Sequence, residues 1–546
     1  MYRVIPLGLS AGILCSASIA AAQQTANPFD SVGENQQFPV EAQPDNQVKT
    51  QIVENSVQAG DSNASGTTIG AVNVQSPAGI PLAPMASEYE AFIGQSASAD
   101  VLSQLANTVS RSARDQGYIF ASAEIPAQAV KMGIVSVNLD PGPIHEVRII
   151  GSDNRRLRRI LDRLICDGIQ SAVLERQLLL AGDLPDITVQ NTRYLREKGK
   201  GILVVTVREQ KVRGYATVDN YGPSTLGPVR ARLKLDISGL LQDSDVLTTT
   251  VTSTIAQPDE LTYVSARYAM TLGNGGTVLG ISAAAGRTKS GGPLSAFDFR
   301  GRNRYAAVFA SHALKRSNNL NAWLNAELAY LEVQQSQARA RFQDDDIVTA
   351  SVNFSGNAKI GSGRIYGGIG VTQGLGILGA SRSGDPLNSR GDADGTFTKA
   401  NLWVNSILNF GGGFGMRLAA NAQIASRPLL SAQEISLGGP YFGRGYDFTE
   451  RFGDEGVLGL AEFRKDFNQP TAWMNWLQLY GFVDGGYVSQ IGDGFGGGTL
   501  ASAGAGMRAQ MGRFDMGLEA AAPLNENRFE SGDQSPKVNF QVGVQF

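Results

Sequence analysis

An alternating pattern of apolar and polar residues runs from about residue 213 to the end of the chain. In VRARLKLDISGLL, one face of an extended strand carries Val229, Ala231, Leu233, Leu235 and Ile237, and the other face is charged or polar. Similar segments, separated by turns rich in Gly, Asn and Asp, fill these last 334 or so residues. At about 20 residues for each strand with its loop, they divide into roughly 16 strands.

A second feature decides what such strands can form. After residue 22 there is no uninterrupted run of about 18 apolar residues, so a chain that enters a membrane must do so as a closed β-barrel. A soluble β-sandwich or solenoid would also alternate. The length and an export signal favour a membrane all-β fold, an antiparallel transmembrane β-barrel of about 16 strands over residues 211–546.

The export signal is predicted at residues 1–22. Arg3 precedes an apolar run from Val4 to Ile19, and three alanines follow it as a cleavage pattern. Cleavage would leave Cys166 as the only cysteine, which excludes an intramolecular disulfide. Residues 23–66 are rich in Gln, Asn, Ser, Pro and Ala, so we interpret them as a disordered periplasmic linker. They show no clean amphipathic helix of the kind that a pore plug would need.

Residues 67–210 have a different pattern, in which strands and helices alternate. We predict one α+β domain at 67–141 and another at 142–210. The first combines a helix at Ala97–Asp115 with strands at Thr67–Val74, Tyr118–Ile125 and Gly133–Asp140. The second combines helices at Arg155–Cys166 and Ala172–Ala181 with strands at Ile144–Ile150, Ile187–Tyr194 and Ile202–Arg208.

The segment 117–151 resembles the periplasmic POTRA domain of two-partner secretion transporters. In that family a Gly-Tyr strand leads to a Pro-x-Gln element, matched here by Pro126 and Gln128, and then to a strand that begins with glycine, matched by Gly133. LLLAGDLPDITVQ resembles the end of a second such unit. The resemblance implies that POTRA domains 1 and 2 occupy residues 67–141 and 142–210.

Two motifs in the barrel region resemble the superfamily of outer-membrane assembly and translocation proteins. LGGPYFGRGYDF is similar to its Arg-Gly-Tyr loop, which folds back into the barrel lumen, and here supplies Arg444, Gly445 and Tyr446. The family often has Val where this chain has Gly443. GFVDGGY is similar to a conserved strand whose acid, here Asp484, lies on the inner wall. The resemblance implies that Arg444 meets Asp484 inside the lumen.

The last strand, VNFQVGVQF, alternates apolar residues and ends on an aromatic residue, Phe546. It resembles the recognition signal of outer-membrane proteins, which implies contact with the barrel assembly machinery during biogenesis and with outer-membrane lipid afterwards. The expected localisation is therefore the outer membrane, with the POTRA domains in the periplasm.

No catalytic constellation is visible. The two histidines, His145 and His312, have no Cys or acidic neighbours at metal-ligand spacing. We therefore expect a protein that is not an enzyme and that uses no metal or other cofactor. The net charge of −3 gives no bias toward nucleic acid. The basic run from Arg155 to Arg163 is either a surface for an anionic partner or an ordinary solvated helix face.

By the resemblance, the expected function is export of an unfolded secreted partner exoprotein, of the large adhesin or haemolysin type. The POTRA domains would capture the partner, and the barrel would conduct it. The alternative is an outer-membrane assembly or insertion factor of the same superfamily, which commonly has three or more POTRA units. A passive porin is a third hypothesis, but porins need neither docking domains nor an Arg-Gly-Tyr loop.

Overall fold

The computed structural model describes residues 50–52, 67–76, 80–126 and 131–546. It shows a closed barrel of sixteen antiparallel strands, preceded by two small sheets that pack against helices. The predicted membrane all-β fold and its strand number are confirmed. The predicted signal at 1–22, most of the predicted linker at 23–66, and Gln128 lie outside the described residues.

The first α+β unit is a three-stranded sheet covered by one long helix. Helix α2 begins at the cap residue Ser98, whose Oγ accepts the backbone N–H of Val101 at 3.3 Å, and it buries Leu102, Leu105 and Val109 against the sheet. The strand predicted at Tyr118–Ile125 is shorter than expected. The elements are β2 (Ala71–Gln75), α1 (Ala86–Glu90), α2 (Ala99–Asp115), β3 (Ser122–Glu124) and β4 (Ile134–Asp140), in the sheet order β2–β4–β3, after β1 (Thr50–Ile52).

The second unit is a sheet of four strands, one of which comes from outside the unit. Its elements are β5 (Glu146–Ile150), α3 (Arg155–Leu161), α4 (Ser171–Gly182), β6 (Ile187–Glu197) and β7 (Lys200–Glu209). The sheet order is β1–β6–β7–β5, and β1 pairs parallel with β6. Residues 50–52 therefore form an edge strand, which differs from the linker interpretation at those three positions.

The two units contact each other through an aromatic stack and an ion pair. The rings of Phe120 and Tyr194 lie parallel with their centroids 4.1 Å apart. Beside them, Arg196 Nη1 lies 2.7 Å from Asp140 Oδ2. Since Phe120 belongs to the buried core of the second unit, the units share part of one apolar core.

The barrel closes where its last strand pairs antiparallel with its first, from Gln541 opposite Asp219 to Gln545 opposite Tyr215. Phe546 then exchanges two backbone hydrogen bonds with Gly214, at 2.8 and 3.0 Å. The strands are β8 (Val212–Asp219), β9 (Arg230–Ser238), β10 (Asp245–Thr254), β11 (Leu261–Leu272), β12 (Thr277–Lys289), β13 (Phe299–Lys315), β14 (Leu320–Gln337), β15 (Ala340–Ile360), β16 (Gly363–Gly374), β17 (Thr398–Gly411), β18 (Phe414–Ala425), β21 (Glu455–Thr471), β22 (Met474–Ser489), β23 (Gly498–Met511), β24 (Phe514–Pro523) and β25 (Lys537–Gln545).

The alternation seen in the sequence separates an apolar outer wall from a polar lumen. Ile281 and Val308 lie opposite each other on β12 and β13 and are exposed on the outer wall, whereas Asn303, on the other face of β13, is buried. The short hairpin of β19 (Ile435–Leu437) and β20 (Arg451–Gly453) lies outside the strand order of the barrel. In the described part of the chain, no helix is both long enough and apolar enough to cross a membrane.

The second α+β unit is bonded to turns at one end of the barrel. Arg316, after β13, makes two bonds to Asp183, at 2.8 Å from Nε to Oδ2 and 2.5 Å from Nη2 to Oδ1. Ser244, in the β9–β10 turn, donates to Asp186 at 2.8 Å. Arg176 donates to the backbone carbonyl of Ala313 at 3.1 Å. These contacts define the end of the barrel that faces the α+β units.

The basic run at the start of α3 takes part in the same interface. Arg155 Nε lies 3.0 Å from Asp243 Oδ2, and Arg156 donates to the carbonyl of Gly273 at 3.2 Å. The remaining cations of the run, Arg158, Arg159 and Arg163, are exposed. Neither interpretation from the sequence anticipated that two of these five arginines would contact the barrel.

Candidate functional site

The Arg-Gly-Tyr motif lies in the connection between β19 and β20, inside the barrel. Gly443, immediately before the arginine, has a φ of +74°, a left-handed conformation that a β-branched residue rarely adopts. This explains the glycine at a position where the family often has valine. Gly445 lies so close to β24 that an added Cβ would be 2.7 Å from the carbonyl carbon of Ala522. The loop is therefore pressed against the barrel wall.

Arg444 contacts Asp484, the residue paired with it by resemblance. The Nε atom lies 3.1 Å from Asp484 Oδ2, and the backbone N–H of Arg444 donates to the same oxygen at 3.2 Å. Ser502 on β23 donates its hydroxyl to the other carboxylate oxygen. Asp484 thus binds both the side chain and the backbone of Arg444, so it holds the loop backbone and the guanidinium in place together.

Two further carboxylates contact the same guanidinium, which the sequence interpretation did not identify. Glu519 on β24 lies 2.6 Å from Nη1, and Glu462 on β21 lies 3.4 Å from both Nη1 and Nη2. The guanidinium carbon lies 3.3 Å from the centroid of the Phe482 ring, in a cation–π arrangement. One loop arginine is therefore held by three barrel strands.

A second arginine offsets part of the remaining negative charge of this cluster. Arg508 on β23 makes two bonds to Glu462, at 2.8 and 3.1 Å, and stacks over Tyr480 with its guanidinium carbon 3.9 Å from the ring centroid. The Tyr480 hydroxyl donates to Glu519 at 2.9 Å. The cluster thus holds three acids and two arginines. Arg444 is 4% exposed and Glu462 is fully buried, so the charges are largely withdrawn from water.

The residues after the arginine attach the loop to the β24–β25 connection. Tyr446 is fully buried, and its hydroxyl donates to Asn525 Oδ1 at 2.6 Å while it accepts the backbone N–H of Glu526 at 3.1 Å. Asp447 accepts from Arg528 at 2.7 Å. The motif therefore combines an ionic contact from Arg444 with a hydrogen-bonded aromatic anchor from Tyr446.

A second buried arginine lies at the end of the barrel opposite the α+β units. Arg390, in the β16–β17 connection, lies 2.8 Å from Asp454, 3.2 Å from Glu434 and 2.9 Å from Asp392. Asp454 also accepts the backbone N–H groups of Leu429 and Ile491. Burial raises the pKa of Glu434 to about 8. This cluster joins the connections after β16, β18 and β22, and no motif in the sequence indicated it.

The other residues singled out from the sequence lie at structural positions in the α+β unit. Pro126 is exposed at the end of the segment that follows β3. Gly133 has a φ of +73°, and an added Cβ would lie 2.8 Å from the carbonyl oxygen of Thr68. Gly133 therefore allows β4 to begin close beside the backbone that leads into β2.

Comparison with known protein families identifies the family to which the chain belongs. The family model for haemolysin secretion/activation protein ShlB/FhaC/HecB matches residues 199–509, and a model for the ShlB-type POTRA domain matches residues 67–142. The chain belongs to the haemolysin secretion/activation family. Members are outer-membrane POTRA-barrel transporters of the two-partner secretion type, so the closed barrel lies in the outer membrane and the POTRA region in the periplasm.

Individual relatives agree with this family over most of the chain. The heme/hemopexin transporter protein HuxB of Haemophilus influenzae is 22% identical in an alignment that covers 96% of each chain. CdiB from Escherichia coli has a solved structure with a TM-score of 0.71 at 18% identity, and both chains are covered completely. CdiB from Acinetobacter baumannii gives a TM-score of 0.62 at 17% identity, again with full coverage. These structural likenesses show the fold.

Proposed function

We propose that this transporter exports an unfolded partner protein, which its POTRA domains capture in the periplasm and its barrel conducts outward. The observation that carries the proposal is the combination of a periplasmic sheet module, bonded to the barrel rim through Asp183 and Arg316, with a lumen loop held by one buried arginine. A docking module and an occupied lumen fit a transporter for a specific large client better than an open channel for small solutes.

The capture step is proposed to use the edges of the two small sheets. The strand orders put β2, β3 and β5 at sheet edges, where an extended chain can add a further strand by backbone hydrogen bonding. The edge of β6 is already paired with residues 50–52. Pairing of this kind depends on backbone hydrogen bonds and only weakly on the partner's side chains, so it suits a partner protein that arrives unfolded.

The Arg444 loop is proposed to act as a latch that keeps the resting lumen closed. Its charge contacts reach β21, β22 and β24, and its aromatic residues Phe442 and Tyr446 pack with the apolar cluster of the inner wall. A client chain would have to pass this loop. The partner proposed here is a secreted exoprotein of the adhesin or haemolysin type, and the barrel itself is proposed to be inserted by the barrel assembly machinery.

Site-specific crosslinking tests the capture step. A photoreactive amino acid is placed at exposed edge positions, Gln75 on β2 or Glu124 on β3, and at Arg159 on an exposed helix face as the matched control. In cells that express the partner, crosslinks to the exported chain are expected from the edge positions only. Equal crosslinking from position 159, or none from either edge, would contradict capture by strand addition.

Removal of residues 67–209 tests the wider role of the periplasmic module. Export of the partner should stop while the barrel still inserts, as judged by its resistance to unfolding in detergent before heating. Because the second unit is bonded to the barrel rim, insertion must be measured in the same experiment. Undiminished secretion by an inserted truncated barrel would refute the docking role.

A further inference from the structure

A group of five cations lies on the outer wall of the barrel, on the side away from the periplasm. On β12 the outward face carries Arg287 and Lys289, and on β13 it carries Arg300, Arg302 and Arg304. All five side chains are exposed. They follow the same alternation as the lipid-facing residues Ile281 and Val308, so they face outward and not into the lumen.

The strand register places these cations directly opposite one another. Arg287 is paired with Arg302, and Lys289 with Arg300. Side chains opposite each other on antiparallel strands have Cβ atoms about 5 Å apart, and like charges at that separation destabilise the sheet. An anion bound between two such pairs would therefore stabilise the sheet.

Nearby acids neutralise only part of this charge. Asp298 lies 2.9 Å from Arg300, and Glu332 on β14 lies 3.1 Å from Arg304. A third acid, Asp344 on β15, pairs with Arg341. Among the described residues, Arg287, Lys289 and Arg302 have no salt bridge to an acid, although Lys289 also lies near enough to Asp298 and Glu260 to be attracted by both. We call these three residues the outward cationic patch.

The height of the patch fits the boundary of the outer leaflet. The periplasmic end of β13 is marked by His312, opposite Thr277 and next to Ala313, whose carbonyl accepts from Arg176. From His312 to Arg302 the strand rises about 26 Å along the barrel axis, for about 3.4 Å per residue and a tilt of about 40°. The apolar band of such barrels is about 25 Å tall, so Arg302 lies at its outer edge.

We propose that the outward cationic patch binds the phosphorylated headgroup of an outer-leaflet glycolipid, of the lipopolysaccharide class. Guanidinium groups bind phosphate bidentately, and two facing arginines with a lysine beside them match a ligand that carries more than one phosphate. The ligand is a lipid and not a soluble phosphate, because the patch continues the lipid-facing surface of Ile281 and Val308. The other exposed basic group, on α3, lies on the periplasmic side.

Binding of purified lipid A to the full-length protein in detergent tests this proposal. The patch variant is Arg287→Gln/Lys289→Gln/Arg302→Gln, and the control variant is Arg158→Gln/Arg159→Gln/Arg163→Gln, which removes the same charge from the exposed face near α3. Bisphosphorylated lipid A should raise the unfolding temperature of the wild type and the control. The patch variant should bind it at least about tenfold more weakly.

Four outcomes would overturn the proposal. Equal affinity of wild type and patch variant would show that the cations do not contact the lipid, and an equal loss in the control variant would show a general charge effect. Inorganic pyrophosphate binding as well as lipid A would show a soluble phosphate site. If the patch variant does not fold, the proposal is tested on the wild-type protein alone. The wild type should bind bisphosphorylated lipid A more tightly than the monophosphorylated form. Equal binding of the two forms would refute the proposal.

Discussion

Replacement of Arg444 by methionine should release the lumen loop from the barrel wall. The substitution keeps an apolar stem of similar length but leaves Asp484, Glu462 and Glu519 buried with Arg508 as the one remaining guanidinium in the cluster. Breaking a buried ion pair by removal of one partner costs about 3–5 kcal/mol. Three carboxylates lose a contact here, so the upper part of that range is the better expectation.

That free energy translates into a large change in the position of the loop. At about 1.4 kcal/mol for each factor of ten, the equilibrium between the seated and the released loop should shift by roughly a thousandfold. Single-channel recording in planar lipid bilayers measures this as more frequent or longer open events. Export of the partner should fall in the same variant, because the released loop is no longer held at one position on the barrel wall.

Two matched variants make the experiment specific. Arg427→Met removes an arginine that is about half exposed and lies 3.7 Å from Asp394, so little change is expected. Combining Arg444→Met with Asp484→Asn and Glu519→Gln removes the two unpaired charges, while Glu462 keeps its ion pair with Arg508, and should restore much of the closed state. The reasoning is refuted when Arg444→Met conducts and exports like the wild type, or when neutralising the acids makes opening more frequent.

Further measurements test other parts of the structure. An exchange of charge, Arg444→Asp with Asp484→Arg, should not restore export, because an acid at position 444 would face Glu462 and Glu519; full recovery in a secretion assay would show that one pair is sufficient. Burial raises the pKa of Glu434 from 4.5 to about 8, so its stabilising contribution is fully present below about pH 4.5 and is lost as the pH rises through 8. Proteolysis of the connection after β18 should therefore accelerate between pH 6 and 9, and Glu434→Gln should flatten that dependence, whereas an unchanged profile would exclude this carboxyl. Arg316→Ala should loosen the second α+β unit from the barrel by about 1 kcal/mol, measured as broader spin-label distances between them, and unchanged distances would show that the other rim contacts are sufficient. Deletion of residues 50–52 should increase edge crosslinking to the partner at β6, and no increase would exclude competition for that edge.

The sequence alone was sufficient for the barrel and its strand number, because lipid on one side and a polar lumen on the other impose a period of two on every strand. The helix α2 was equally accessible, since its apolar residues recur at helical spacing and Ser98 caps it. The contact between Arg444 and Asp484 could be expected only by resemblance to a family. Neither residue type nor spacing in one sequence places them together.

Glu462 and Glu519 were not predicted because their role depends on register. An acid on the lumen face of an alternating strand looks the same whether or not a loop arginine reaches it. The register that puts Asp484 opposite Leu460, two residues from Glu462, exists only in the folded sheet. The Arg390 cluster was missed for a similar reason, since its partners Glu434 and Asp454 lie on other connections and share no motif with it.

The path of the lumen loop has a consequence for the completeness of the barrel that can hold it. β18 and β21 are neighbours in the wall, and the segment between them, which contains the β19–β20 hairpin, brings Arg444 inside. The acids that receive Arg444 include Glu519 on β24, which is translated after the loop. The arginine therefore finds its last ligand only when the C-terminal strands have been added. The seated loop therefore requires β21, β22 and β24 to be in place together, so it can form fully only in a barrel whose C-terminal strands are already paired.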